Sequence, residues 1–177
     1  MFVVIPEHVP SLVCLNLINL FINNEKNSEI HRDTKFIDSR FIKEDIFKKV
    51  LLEINNTAVS LYGRDTYIEL AQIVEWPKGS FHPTHSDISR ESTKCTSITY
   101  LNDDFEGGET YFTGQDLIIK PKRGKTVFFD GKKYEHGVQE IMKGIRYTLA
   151  IWYSKNIYDA IEPFTYSDSI QVNGSEV

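Results

Sequence analysis

Three side chains able to ligate a hard metal ion stand at His85, Asp87 and His136 of this 177-residue chain. His85-Ser86-Asp87 reads as extended backbone, on which residues i and i+2 point to the same side, so an imidazole and a carboxylate can share one ion. His-x-Asp alone is a frequent chance pattern, and a site needs a third ligand. Of the remaining histidines, His8, His31, His82 and His136, the last falls in the strand-like run Tyr134–Ile141, among turn residues. His85, Asp87 and His136 would form a facial set of two histidines and one carboxylate. Such a set leaves adjacent positions open and suits non-haem Fe(II) that must also take a co-substrate and O2. Hydrolytic zinc uses the same ligand types and stays open as the alternative. His82 would make His-x-x-His with His85, but Pro83 between them opposes a helical zinc motif, and His82 reads as a loop residue at the rim.

Arg146 opens the last strand-like run, ten residues after His136. On that strand Arg146, Thr148, Ala150 and Trp152 share one face, and Tyr147, Leu149, Ile151 and Tyr153 share the other. An arginine among apolar neighbours is expensive to bury unless it meets an anion, and its planar fork fits a carboxylate. A solvated edge position or a structural salt bridge is the plainer reading of Arg146 taken alone. Thr96, Ile98 and Tyr100 also share a face, and the two hydroxyls beside Arg146 would complete a carboxylate pocket.

These residues must be carried by strands. From Thr66 the apolar period becomes two: Ile68, Leu70, Val74 and Trp76 alternate with Tyr67, Glu69 and Glu75. Further runs follow at Thr96–Leu101, Glu109–Phe112, Leu117–Lys120, Thr126–Phe129, Tyr134–Ile141 and Arg146–Tyr153, with glycines in the breaks, as in a sandwich or barrel. Gly107 and Gly108 read as structural turn residues, as does Glu109 beside them. Before Thr66 the pattern is helical. Ser11–Asn23 carries Asn16, Asn19 and Asn23 on one stripe and apolar residues elsewhere, so it reads as largely buried. Lys43–Tyr62 repeats Phe47, Val50, Leu51, Ile54, Ala58 and Leu61 at helical spacing, and Gly63 closes it. Glu25–Arg40 reads as polar and irregular. After Ser154, Tyr158, Ile161, Phe164 and Tyr166 read as anchors before a polar end that frays. Helices first and strands second predict an α+β fold with the N-terminal helices packed on one sheet.

Residues 1–177 are expected to form one domain, with 1–65 mainly helical support, 66–154 the β core and 155–177 a tail. The charge of −5 and the pI near 5.5 give no basic stripe for nucleic acid. No stretch is apolar over a membrane span, and MFVVIPEHVP does not read as a signal peptide. Two cysteines, Cys14 and Cys95, make no disulfide framework and read as core residues. A cytoplasmic protein without membrane or nucleic-acid partners is expected, and the oligomeric state is left open.

TSITYLNDDFEGGETYF (Thr96–Phe112), PKRGKTVFFD and YEHGVQEIMKGIRYTLAIWY resemble, in order, the prolyl 4-hydroxylase branch of the 2-oxoglutarate/Fe(II) dioxygenases. The likeness runs from about Ile68 to Tyr153, roughly half the chain. It implies a double-stranded β-helix, or jelly roll, with helices on its major sheet. It implies His85, Asp87 and His136 as iron ligands, Arg146 and Tyr100 on the distal carboxylate of 2-oxoglutarate, and Thr96 and Trp152 lining the pocket. Trp76 stands where the family commonly has a tyrosine facing the co-substrate, and an indole can donate but not accept. The loop from Asp87 to Thr96 is short, which predicts an open site.

The resemblance implies hydroxylation of a prolyl residue in a peptide or protein, using O2 and yielding succinate and CO2, and it admits ascorbate as reductant. Free amino acids, lysyl residues and small molecules are alternative substrates. A metal-binding jelly roll without 2-oxoglutarate chemistry, and a binding module without activity, are the readings from other classes.

Overall fold

The computed structural model describes residues 1–87 and 90–161. In chain order these give β1 (Phe2–Ile5), α1 (Ser11–Asn23), β2 (Glu29–His31), β3 (Thr34–Asp38), α2 (Asp45–Tyr62), β4 (Tyr67–Trp76), β5 (His82–His85), β6 (Thr93–Tyr100), β7 (Glu106–Gly107), β8 (Thr110–Phe112), β9 (Leu117–Ile119), β10 (Thr126–Phe129), β11 (His136–Val138), β12 (Ile141–Lys143) and β13 (Arg146–Ser154). A seven-stranded sheet runs β1-β10-β6-β13-β4-β3-β2, and a four-stranded sheet runs β5-β11-β8-β9. All pairings are antiparallel. This is the α+β arrangement that the sequence predicts, in the double-stranded β-helix that the resemblance implies.

The two faces of β13 organise the molecule. Tyr147, Leu149, Ile151 and Tyr153 join the buried cluster that the helices cover, where Phe47, Val50, Leu51, Ile54 and Ala58 of α2 meet Ile68, Ala71 and Ile73 of β4. The apolar spacing of α2 puts all five of those side chains on one face, the four larger ones each contributing about 1.5–3 kcal/mol on burial. Gly63 ends the helix at φ +99°, a left-handed position that needs no Cβ. A second cluster, built on Ile98, Tyr100, Phe112, Val127 and Phe129, fills the space between the two sheets.

Several expectations change. Helix α1 is not largely buried: only Cys14, Leu17 and Phe21 are enclosed, while Leu12, Leu15 and Ile22 are 69%, 41% and 53% exposed. The asparagine stripe marked one exposed flank but not the width of the exposed face. Glu25–Arg40 is not irregular, because it forms the β2–β3 hairpin, whose second strand pairs with β4. Strand β4 does not keep one alternation throughout. Its pairing with β13 slips between Leu70 and Ile68, and the bulge lets Ile68, Ala71 and Ile73 all face the helices while Gln72, Val74 and Trp76 face the opposite side. The run Tyr134–Ile141 splits into β11 and β12, which pair with different partners. Tyr158 is no anchor, being 93% exposed, whereas Ile161 packs on the helical core and its amide donates to the Ile68 carbonyl. Phe164, Tyr166 and the polar end lie outside the described residues, as do residues 88 and 89 of the Asp87–Thr96 loop. Cys14 and Cys95 are free and fully buried, as expected. Among the described residues no helix is long and apolar enough to cross a membrane.

Candidate active site

The β5–β11 register sets His85 directly opposite His136, with their ring centroids 4.4 Å apart. Asp87 follows just past the end of β5, held by its amide donating to the Gly131 carbonyl at 3.1 Å. Its carboxylate then lies between the two imidazoles, with Oδ1 3.5 Å from His85 Nε2 and Oδ2 3.8 Å from His136 Nε2. One potential ligand atom from each of the three residues falls within 4.8 Å of the others. Sequence separations of two and fifty-one residues thus collapse to one point because two short strands pair.

Hydrogen bonding fixes which nitrogen faces that point. His85 Nδ1 is 3.0 Å from the Pro83 carbonyl, which can only accept, so Nδ1 carries a proton and Nε2 is the nitrogen left to meet Asp87 or a cation. His82 Nδ1 donates to the same carbonyl at 2.9 Å. Burial lowers His136 to about 4, outweighing the Asp87 charge that raises it, so the ring is neutral at physiological pH. Burial would raise the Asp87 carboxyl, but hydrogen bonding to His85 and the charge of His136 bring it below its ordinary value. The site therefore offers one neutral imidazole, one carboxylate and a second imidazole whose Nε2 faces that carboxylate. Asp87 is 9% exposed, and its Oδ2 has no hydrogen-bond partner. A buried carboxylate oxygen left this way is costly, and a cation between the three groups would satisfy it.

These residues open into a cavity of about 390 Å³ between the sheets. Arg146, Thr148, Ala150 and Trp152 of β13, with Thr96 and Ile98 of β6, form one wall, as the face assignments predict. Arg146 is 1% exposed and, among the described residues, has no carboxylate partner. Its Nη2 donates to Thr110 Oγ1 at 3.3 Å, while Nε and Nη1 have no hydrogen-bond partner. The Trp76 ring lies 4.9 Å and the Tyr100 ring 5.3 Å from its guanidinium carbon. Burial lowers Arg146 to about 10, so it stays cationic at neutral pH. A buried guanidinium with two unpaired donor nitrogens beside a cavity is built to receive an anion.

Tyr100 is fully buried, does not line the cavity, and donates its hydroxyl to Thr110 Oγ1 at 2.7 Å, so it stands behind Arg146. Trp76 lines the cavity, but its indole N–H is taken by Thr148 Oγ1 at 3.2 Å. His82 is no loop residue at the rim. It lies on β5, its ring 3.9 Å from that of His85, and it lines the cavity. Sequence reasoning missed Gln72, Thr110, and the hairpin residues His31, Thr34 and Phe36, which also face the cavity or Arg146. The alternation of Thr34, Phe36 and Asp38 was the available signal for the hairpin strand.

The family model of the 2OG-Fe(II) oxygenase superfamily matches residues 71–154. The matched stretch is just under half of the chain; it runs from within β4 to the end of β13 and holds His85, Asp87, His136 and Arg146. Human prolyl 3-hydroxylase 2 is 32% identical over 117 residues, covering 54% of this chain and 16% of the relative's length. The chain thus spans only a small part of the curated relatives it matches. A Pseudomonas putida prolyl-4-hydroxylase superposes with a TM-score of 0.74 at 16% identity, covering 88% of this chain and 92% of that one. A Trichoplax adhaerens prolyl hydroxylase, solved with a hypoxia inducible factor peptide fragment, gives 0.73 at 17% identity, covering 87% and 83%. The likeness reaches 3-hydroxylases by sequence as well as 4-hydroxylases by fold.

Proposed function

We propose that the chain is a 2-oxoglutarate-dependent dioxygenase that hydroxylates a prolyl residue of a peptide or protein. The observation that carries this reading is the pairing, across one cavity, of a metal-ligand set with a buried, unpaired arginine. Nε2 of His85, the Asp87 carboxylate and His136 would hold Fe(II), and Arg146 would take the distal carboxylate of 2-oxoglutarate. Iron and 2-oxoglutarate together supply the activation of O2 that inserts one oxygen atom into a C–H bond, with succinate and CO2 as co-products. Ascorbate fits as the reductant that keeps the metal ferrous.

The chain's own residues do the rest. Pro83 holds His85 in the Nδ1–H tautomer. Gly131 holds Asp87 by its backbone. Thr110, Trp76 and Tyr100 hold the Arg146 guanidinium in place with two donor nitrogens free, so the carboxylate meets a preorganised fork. Thr96, Trp152 and Ile98 wall the co-substrate space, and Val74, His82 and the hairpin residues His31, Thr34 and Phe36 face the remaining volume, where a prolyl side would enter. The ring of proline is apolar and lacks an N–H, which suits a wall of Val74, Phe36 and Val138.

Incubation with Fe(II), 2-oxoglutarate, ascorbate and a proline-rich peptide should yield succinate and a peptide heavier by one oxygen atom on a proline. Asp87→Ala should abolish both products. Succinate release without any oxidised proline across a broad peptide set would overturn the prolyl assignment while leaving the reaction class intact.

A further inference from the structure

Gln72 is a half-buried polar residue of the cavity wall that the chemistry assigned so far leaves idle. It sits on β4 between its register partners, Ala150 of β13 and Asp38 of β3. The polar groups beside it are taken: the Thr34 hydroxyl donates to the His31 carbonyl, and the Trp76 indole to Thr148. The Gln72 carboxamide has no hydrogen-bond partner among the described residues. Trp76, four residues further on, pairs with Arg146, so Gln72 stands roughly 13 Å along the strand from the arginine. It lies instead toward the metal ligands. Its partner Ala150 is two residues from Trp152, which pairs with Thr96, and Thr96 and Asp87 both pack against Gly131. A co-substrate lying along β13 between the ligand set and Arg146 would leave Gln72 to one side, on the wall it shares with Val74 and Phe36.

We infer that Gln72 is a specificity-determining residue that takes the backbone of the residue next to the target proline, so that proline is accepted within a peptide and not as the free amino acid. This rests on the prolyl-hydroxylase reading and names the residue that selects among its substrates. A carboxamide offers an acceptor and two donors without charge, and the N–H and C=O of one extended residue point to the same side and match it. Proline has no N–H, so the residue that meets Gln72 is a neighbour of the proline. Histidines apart, the charged residues lining the cavity are Asp87 and Arg146, which face the metal position and the co-substrate. A free amino acid would bring a carboxylate and an ammonium group, and a lysyl side chain an ammonium group, to a wall with no counter-charge left for them.

The test uses the full chain loaded with Mn(II) and 2-oxoglutarate under nitrogen, with a labelled peptide carrying one proline between glycines, and binding is read by fluorescence anisotropy. Two analogues replace the amide N–H of the glycine before or after the proline by an ester oxygen. Gln72→Leu should bind the amide peptide about ten-fold more weakly, as the loss of two neutral hydrogen bonds gives, with no matching loss for 2-oxoglutarate. One of the two esters should bind the native chain several-fold more weakly than the amide, and that difference should vanish in Gln72→Leu, which a merely structural role would not produce. Free proline, and the same peptide with lysine in place of proline, should compete at least ten-fold less well than the unlabelled proline peptide. Equal peptide affinity in the native chain and Gln72→Leu, an ester loss of the same size in both, no ester loss in either, a parallel loss of 2-oxoglutarate affinity, or free proline competing as well as the peptide would overturn the inference while leaving the prolyl reading in place. Binding of 2-oxoglutarate with no binding of the proline peptide, or tighter binding of the lysine peptide, would overturn it together with the prolyl reading. Failure to bind 2-oxoglutarate would remove the oxygenase reading itself and this inference with it.

Discussion

Trp76 and Arg146 are partners across β4 and β13, and the indole lies 4.9 Å from the guanidinium carbon inside the cavity. The indole both covers the buried cation and fixes the neighbouring Thr148 through its N–H. A desolvated cation–π contact is worth about 2 kcal/mol. Trp76→Ala should therefore weaken 2-oxoglutarate binding by about ten- to thirty-fold, and Trp76→Phe by only a few-fold, in calorimetric titrations of the Mn(II)-loaded protein. Equal affinity in native protein and Trp76→Ala would show that Arg146 needs no such support.

Gly108 should be among the least replaceable residues of the fold. It sits at φ +69°, and a Cβ there would collide with the Ile141 side chain and press on Arg146 Cδ at 3.1 Å. Gly79 has a similar φ of +88° but open space around it. Gly79→Ala should cost about 1 kcal/mol for conformation alone. Gly108→Ala should cost about 2–4 kcal/mol through added overlap, and should also weaken 2-oxoglutarate binding. Urea unfolding of both variants measures the difference, and equal losses would contradict the close approach to Arg146.

Stability of the metal-free protein should fall in mild acid. Burial lowers the imidazoles of His8 and His136, the latter to about 4. The unfolded chain takes up these protons near pH 6.5, so the stability is full above that value and is lost as pH falls toward 4. For His136 the span corresponds to about 3 kcal/mol at 1.36 kcal/mol per unit. His85 works in the opposite sense: burial lowers it, but hydrogen bonding to Asp87 more than restores it, so its contribution persists in acid and offsets part of the loss. Urea midpoints in chelator should drop from pH 7 to 4.5, and drop less in His136→Asn. A flat profile would contradict the buried neutral ring.

Cys14 and Cys95 should resist thiol reagents in the folded protein. Both are fully buried, and burial pushes their thiols up to about 11 and about 12. A disulfide-exchange reagent at pH 8 should react with neither thiol until denaturant is added. Rapid reaction of either one in native buffer would place it at the surface.

Much of the site was legible because period two survives in the sequence where a strand is regular. In β13 the alternation of Arg146, Thr148, Ala150 and Trp152 assigned four residues to the cavity wall and four to the core, and the structure keeps both sets. In β4 the same reasoning failed past Glu69, because a bulge changes the phase without leaving a glycine or proline as a mark. The hairpin at Glu29–Asp38 was hidden by its charges: β2 is exposed throughout, so only the alternation of Thr34, Phe36 and Asp38 marked a strand. His82 was assigned to the rim because Pro83 broke the helical pattern, whereas the proline instead lies within β5 and offers its carbonyl to two rings. The opposition of His85 and His136 is a matter of register between two short strands, which no local pattern encodes.

The most direct test of the central claim is an anaerobic titration with Fe(II) and then 2-oxoglutarate, followed by visible absorption. The account predicts a metal-to-ligand charge-transfer band that grows only after 2-oxoglutarate is added, is lost in Asp87→Ala, and needs far more 2-oxoglutarate in Arg146→Ala. Iron binding with no band at any 2-oxoglutarate concentration would contradict it, and would leave the His85, Asp87 and His136 cluster as a metal site without the co-substrate chemistry assigned to Arg146.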